Sequence, residues 1–315
     1  MRAACAITLF VLLRPVLAGA DAGRTDGPGG GLPVYQQVAG EQVVHMVARG
    51  ETLGHIAQQF GMATSLASKM NCLPDPDRLR VGQRLIFSNR HIVPTVLADG
   101  LVINAGDLLL YWLRGGDLLG AFPVGVGRTA WATPPGRYRI VGRRQDPVWH
   151  VPPSIQREMR EKGEPVKRVV PPGPDNPLGK YWLQLSVPGY GIHGTNAPRS
   201  VGRYATHGCV RLRPDDVERL YREVPNETAV RIVNAPIKLA RLEDNTILLE
   251  VHQSATADAA ADFLERLQQA DVARLLDLTA VRHALRDAWG VAVDVSEGAS
   301  HAESCSDQPS EPRQW

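Results

Sequence analysis

Apolar positions along the chain switch between two periods, and the switches mark out its units. Val44 to Val47 alternate as in a short strand, Arg49 to Thr52 form a turn, and Leu53, Ile56, Ala57 and Phe60 recur at helical spacing before Gly61. Thr52 is the predicted N-cap of that helix. A second helix is predicted from Ser65 to Met70, and the run from Leu79 to Phe87 reads as a returning strand. From Leu97 the pattern turns to strands. These are predicted at Leu101–Asn104, Asp107–Leu113 and Leu118–Gly127, with a hairpin turn at Arg114–Asp117, and again at Arg137–Val141, Tyr181–Ser186, Tyr190–His193 and Thr228–Val233. One helix, from Pro214 to Val224, opens with Pro at its first position and Asp215 and Asp216 in its first turn, where an anion complements the helix dipole.

Between Gln145 and Lys180 this strand pattern breaks for a Pro-rich insertion, with a predicted helix from Ser154 to Lys162 stopped by Gly163. So long a connection inside a compact domain either covers a site or serves as a rigid brace. After Val233 a strand pair is predicted at Lys238–Ala240 and Thr246–Val251. Two amphipathic helices follow between Asp258 and Trp289, packed on the β domain or on a partner, and the polar stretch beyond Val295 reads as disordered.

The first twenty residues change the picture at the other end. Arg2, the apolar run from Ala3 to Leu13 and the small Ala18-Gly19-Ala20 read as an export signal, too short to span a bilayer. The Gly- and Pro-rich stretch after it reads as a linker. The expected division is therefore signal 1–20, linker 21–42, small α+β unit 43–88, mainly β domain 97–234, extension 235–295 and tail 296–315. Export also bears on the cysteines. Without Cys5, the chain keeps Cys72, Cys209 and Cys305, an odd number that fits one thiol held free, with Cys72 and Cys305 either paired or separate. A formal net charge of +2, with basic residues scattered among few aromatics, argues against nucleic acid as a partner.

The candidate chemistry lies in the β domain. Cys209 follows His193 by sixteen residues (209 − 193), within Ile192-His193-Gly194-Thr195-Asn196 and Thr206-His207-Gly208-Cys209-Val210-Arg211. A thiol with pKa of about 8.5 is mostly protonated at neutral pH, so a catalytic cysteine needs a base and donors for the oxyanion it creates. His193 is the expected base, with a carbonyl at Gly194 to fix its tautomer. Gly208 lets the backbone approach, so that the amides of Gly208 and Cys209 form an expected oxyanion hole. Thr206 supplies a hydroxyl, and His207 is either a supporting group or a structural histidine. Arg211 either holds a substrate carboxylate or pins the loop. Tyr190 and Asn196 are the other candidate substrate contacts. A zinc site of His193, His207 and Cys209 is the competing reading, but no H-E-x-x-H or spaced carboxylate accompanies them. Neither metal nor cofactor is expected to take part.

The pattern H-G-T-N followed by T-H-G-C-V-R resembles the active-site signature of the YkuD-like L,D-transpeptidases of peptidoglycan. Residues 43–88, with G-E-T-L, I-A-x-x-F-G and L-x-x-G-Q-x-L, resemble a LysM domain. These resemblances imply a β-sandwich or barrel-like catalytic fold and a periplasmic enzyme bound to glycan strands. They also imply that Cys209 is acylated by a tetrapeptide stem with release of D-alanine, then deacylated by a second diaminopimelate or a lipoprotein lysine. A carboxypeptidase using water and a wall-binding protein without catalysis are the alternatives. The resemblance further implies that P-x-G-P-x-N-P-L-G, at 171–179, overlies the cleft.

Overall fold

The computed structural model describes residues 31–60 and 62–299. The expected signal, Cys305 and the tail from Ser300 onward lie outside the described residues. Among those described, no helix is long and apolar enough to cross a membrane.

Strand residues that are β-branched or aromatic and apolar on alternate positions assemble an eight-stranded sheet. Its order is Val210–Arg211, Gly191–His193, Tyr181–Leu185, Gly136–Gln145, Ala229–Val233, Gly100–Asn104, Leu109–Arg114 and Asp117–Pro123. Most neighbours are antiparallel, but two pairs are parallel. Ala229–Val233 runs alongside Gly100–Asn104, and Gly191–His193 alongside Val210–Arg211. The fold is thus mainly β, as expected. The main core lies between this sheet and the helix Pro214–Glu223, which buries Val217 and Leu220 against Leu183, Ile192, Val210 and Leu212.

The small N-terminal unit pairs Gln42–Met46 with Arg84–Ser88 and packs the helices Leu53–Gln59 and Thr64–Met70 on them. Thr52 caps the first helix by accepting from the His55 amide at 3.3 Å. The returning strand is shorter than the apolar pattern predicts. Residues before Arg84 turn instead, with Val47 N–H donating to Gln83 O at 2.9 Å and Gly82 N–H to Val47 O at 2.8 Å. Leu53, Ile56, Ala57, Leu85 and Phe87 fill its core.

Two segments depart from the expected order. In the stretch read as a linker, Val34–Tyr35 and Val38–Ala39 are strands, because distant partners supply their hydrogen bonds. Val34–Tyr35 joins a second sheet in the order Val34–Tyr35, Ile237–Arg241, Ile247–Val251, Ala292–Asp294. The helices Ala257–Gln269 and Leu278–Asp287 pack on this sheet through Phe263, Leu267 and Val281. The last helix stops short of Trp289, as Ala288 takes a left-handed conformation with φ 44°.

Candidate active site

The site is built by strand register. In the parallel pair, Ile192 faces Val210 and His193 faces Arg211. Paired residues share a face and successive ones alternate. Ile192, Val210 and Leu212 point into the core, so His193, Arg211 and Cys209 share the opposite face. The register is locked by Leu212 N–H donating to His193 O at 2.8 Å. Cys209 immediately precedes the strand Val210–Arg211, which pairs with the strand that ends at His193. It is the free cysteine among the described residues.

His193 is held on every side. Its Nδ1 lies 2.6 Å from Gly194 O, which makes Nδ1 the donor and leaves Nε2 to take a proton. The Leu178 backbone, like that of Gly194, acts against the lowering of the ring's pKa. Trp182, which pairs with His193 across the next strand, stacks on it at 5.7 Å and 23°. Gly191 makes room for that indole, since a Cβ there would sit 2.4 Å from Trp182 Cζ2. The imidazole is 3% exposed. Burial first, and the Arg211 charge second, lower its pKa to about 4.

Burial also raises the Cys209 thiol, an effect partly offset by the Gly191 amide and the Arg211 charge. The resting pair is therefore thiol and neutral imidazole, not a preformed ion pair. Sγ donates weakly to Gly189 O at 3.6 Å.

Thr206 shapes the turn before the cysteine. Its hydroxyl donates to Cys209 O at 2.6 Å and accepts from Gly208 N–H at 3.1 Å. The Gly208 amide, expected as an oxyanion donor, is thus engaged inside the turn. Gly208 is required for another reason: its φ is +105°, and a Cβ there would meet Tyr190 Cε1 at 2.6 Å. Tyr190 thus packs directly on the turn. Asn196 is exposed on the loop beyond the base.

Arg211 gives one Nη1–H to Ser200 Oγ at 2.9 Å, while its buried Nε has no partner. Its charge lies close enough to the thiol and the imidazole to act on the pKa of both. His193, His207 and Cys209 are not among the groups whose donor atoms converge within 4.8 Å among the described residues, so the zinc arrangement does not form.

Several contributors lie outside the motif. Asn176 fixes the Pro-rich segment: its Nδ2 donates to Pro147 O at 2.8 Å and Pro171 O at 3.1 Å, and its Oδ1 accepts from Leu178 N–H at 2.9 Å. That places the Leu178 backbone beside His193. Gly179, with φ +66°, lets the segment rest on Gly194 and Thr195; a Cβ would lie 2.7 Å from Thr195 N.

The insertion helix Pro153–Glu161 reaches the same turn through Glu158. Its Oε2 lies 2.6 Å from His207 Nε2 and 2.5 Å from Arg128 Nη2. Those two nitrogens are themselves 2.6 Å apart. Arg has only donors, so His207 Nε2–H and Arg128 both donate to the shared carboxylate rather than to each other. Lys162, His207 and Arg128 together hold the Glu158 pKa down to about 2. The insertion is thus tied to the cysteine turn, and 171–179 contacts the base rather than standing apart as a brace.

The model of the L,D-transpeptidase catalytic domain matches residues 98–232, and that of the LysM domain matches 45–88. A protein of Escherichia coli K12 called a probable L,D-transpeptidase ErfK/SrfK is 31% identical over 260 residues, 79% of this chain and 84% of that one. Its Salmonella typhimurium counterpart of the same name is 32% identical, over 72% of this chain and 75% of that one. The probable L,D-transpeptidase YbiS of Escherichia coli K12 is 32% identical over 71% and 74%.

Proposed function

The chain belongs to the L,D-transpeptidase family and carries a LysM domain, and on that premise we propose that it is a periplasmic peptidoglycan transpeptidase with Cys209 as nucleophile and His193 as base. The observation that carries this reading is the parallel register that sets His193, Cys209 and Arg211 on one face.

Sγ of Cys209 attacks the carbonyl between diaminopimelate and the terminal D-alanine of a tetrapeptide stem as Nε2 of His193 takes the thiol proton. General-base transfer is needed during attack because both groups rest neutral. The Cys209 amide holds the oxyanion, a donor type worth on the order of 2.7–4 kcal/mol of barrier. His193 then returns its proton to D-alanine as the C–N bond breaks, leaving a thioester. An amine, from a second diaminopimelate or a lipoprotein lysine, attacks the thioester, and His193 relays its proton to restore the thiol. The Arg211 guanidinium supplies the positive charge for a stem carboxylate. The LysM domain keeps the enzyme on glycan strands.

Incubation with disaccharide-tetrapeptide, with and without a lipoprotein C-terminal peptide, tests the reading by mass spectrometry. Dimers or peptide adducts with free D-alanine are expected. Tripeptide alone would identify a carboxypeptidase, and unchanged substrate a wall-binding protein.

A further inference from the structure

Away from the active site, two histidines converge on one oxygen of a buried glutamate. Glu250, on strand Ile247–Val251, is 0% exposed. Its Oε1 lies 2.9 Å from His91 Nδ1 and 2.6 Å from His252 Nε2. The three donor atoms lie within 4.8 Å of one another, and the two imidazoles are nearly parallel, at 20°. From these residues we propose a binding site for one divalent transition metal ion of the zinc class, with His91, Glu250 and His252 as ligands.

The two oxygens of Glu250 have different surroundings. Oε2 is saturated by Ile92 N–H at 2.5 Å and Lys238 Nζ at 2.9 Å. The ammonium of Lys238 spends its other two protons on Asp107 Oδ2 at 2.6 Å and Ile92 O at 2.7 Å. This outer shell fixes the carboxylate and leaves Oε1 turned to the imidazoles, as second-shell partners of metal ligands do.

Charge gives the second argument. The buried set of Lys238, Asp107 and Glu250 brings two acidic side chains against one basic one. Tyr111 adds no charge, since burial and Asp107 keep its phenol protonated. Such an acidic excess favours a bound cation over an apolar filling.

Geometry fits as well. A tetrahedral ion with bonds of about 2.0–2.2 Å needs its ligands roughly 3.4 Å apart, so the pairs at 2.6 and 2.9 Å must part by about 0.8 and 0.5 Å. His91 and His252 are the more open members, at 24% and 13% side-chain exposure, and give the ion a way in and water a fourth position. Gly290, with φ +75°, backs the His252 ring, where a Cβ would press on Nδ1 at 3.3 Å. The ion would staple the short strand His91–Ile92, which follows the LysM domain, to the C-terminal sheet.

The test uses full-length untagged protein carrying Cys209→Ala, so that the active-site thiol binds no metal. One equivalent of Zn²⁺ should be retained after desalting and should raise Tm by several degrees over the EDTA-treated protein, and Co²⁺ should give the visible absorption of a tetrahedral site. His91→Ala and His252→Ala should each abolish retention and the shift, while their Tm in EDTA stays near that of the parent, showing that they fold. Absence of zinc retention by the parent, or an equal shift in the double variant His91→Ala/His252→Ala, would overturn the proposal.

Discussion

Glu158 and His207 are forty-nine residues apart in sequence, yet the carboxylate of the first receives Nε2–H of the second at 2.6 Å. That contact joins the helix of the Pro-rich insertion to the turn that presents Cys209. Arg128 reaches the same carboxylate and holds the strand on the far side, its amide donating to Thr206 O at 3.1 Å.

Glu158→Gln keeps the shape and weakens this tie. Small displacements near a reacting centre are costly, so kcat/KM should fall on the order of tenfold to a hundredfold. Tm should fall modestly as well, because Glu158 is half-buried and paired with Arg128, Lys162 and His207. Steady-state kinetics beside thermal unfolding checks this; an unchanged kcat/KM would show that the insertion is seated without it.

The hydroxyl of Thr206 satisfies two backbone groups at once. Thr206→Val strands the buried Gly208 N–H and Cys209 C=O, costing about 1–3 kcal/mol of stability, while Thr206→Ser should behave nearly as the parent. Chemical denaturation of the two variants separates these outcomes.

At Gly208 the obstacle is both φ and Tyr190. Gly208→Ala should lose most activity. Adding Tyr190→Ala removes the clash but not the backbone strain, so the double variant should recover only in part. Full recovery would mean that the ring alone dictates glycine.

With its pKa lowered to about 4, His193 stays neutral across the physiological range. The acid limb of kcat/KM should therefore lie near pH 4, with no inflection between about pH 5 and 8. Stability follows the same sign. The unfolded imidazole, near its ordinary 6.5, binds a proton that the folded one refuses, so the contribution is fully present above about pH 6.5 and is lost as pH falls through about 4. Its size is on the order of 3 kcal/mol. Stability measured from pH 7 to 4 in the parent and in His193→Gln should differ in slope in that direction.

These outcomes separate what local pattern encodes from what only tertiary contact creates. The alternation around Ile192 and Val210, the N-cap at Thr52 and the turn at Arg114–Asp117 are short-range signals, and the strands and helices they announce are present. His193, Cys209 and Arg211 stand out in the sequence because a thiol near a candidate base leaves a dense local signature. Glu158, Asn176, Arg128 and Trp182 were not singled out. Each is an ordinary polar or aromatic residue whose part is fixed by a partner far along the chain. The strands at Val34–Tyr35 and Val38–Ala39 escaped for the same reason: two residues carry no period, and their partners Leu239–Ala240 and His91–Ile92 are distant. The bond from the Gly208 amide to the Thr206 hydroxyl is a local contact that residue types alone do not dictate.

The central claim is that Cys209 carries the acyl group. Intact-protein and peptide mass spectrometry after rapid quenching with a tetrapeptide stem measures this directly. The account predicts a mass gain equal to the stem less D-alanine, mapped to the peptide containing Cys209 and absent from Cys209→Ala. An adduct on another residue, or turnover that persists in Cys209→Ala, would contradict it.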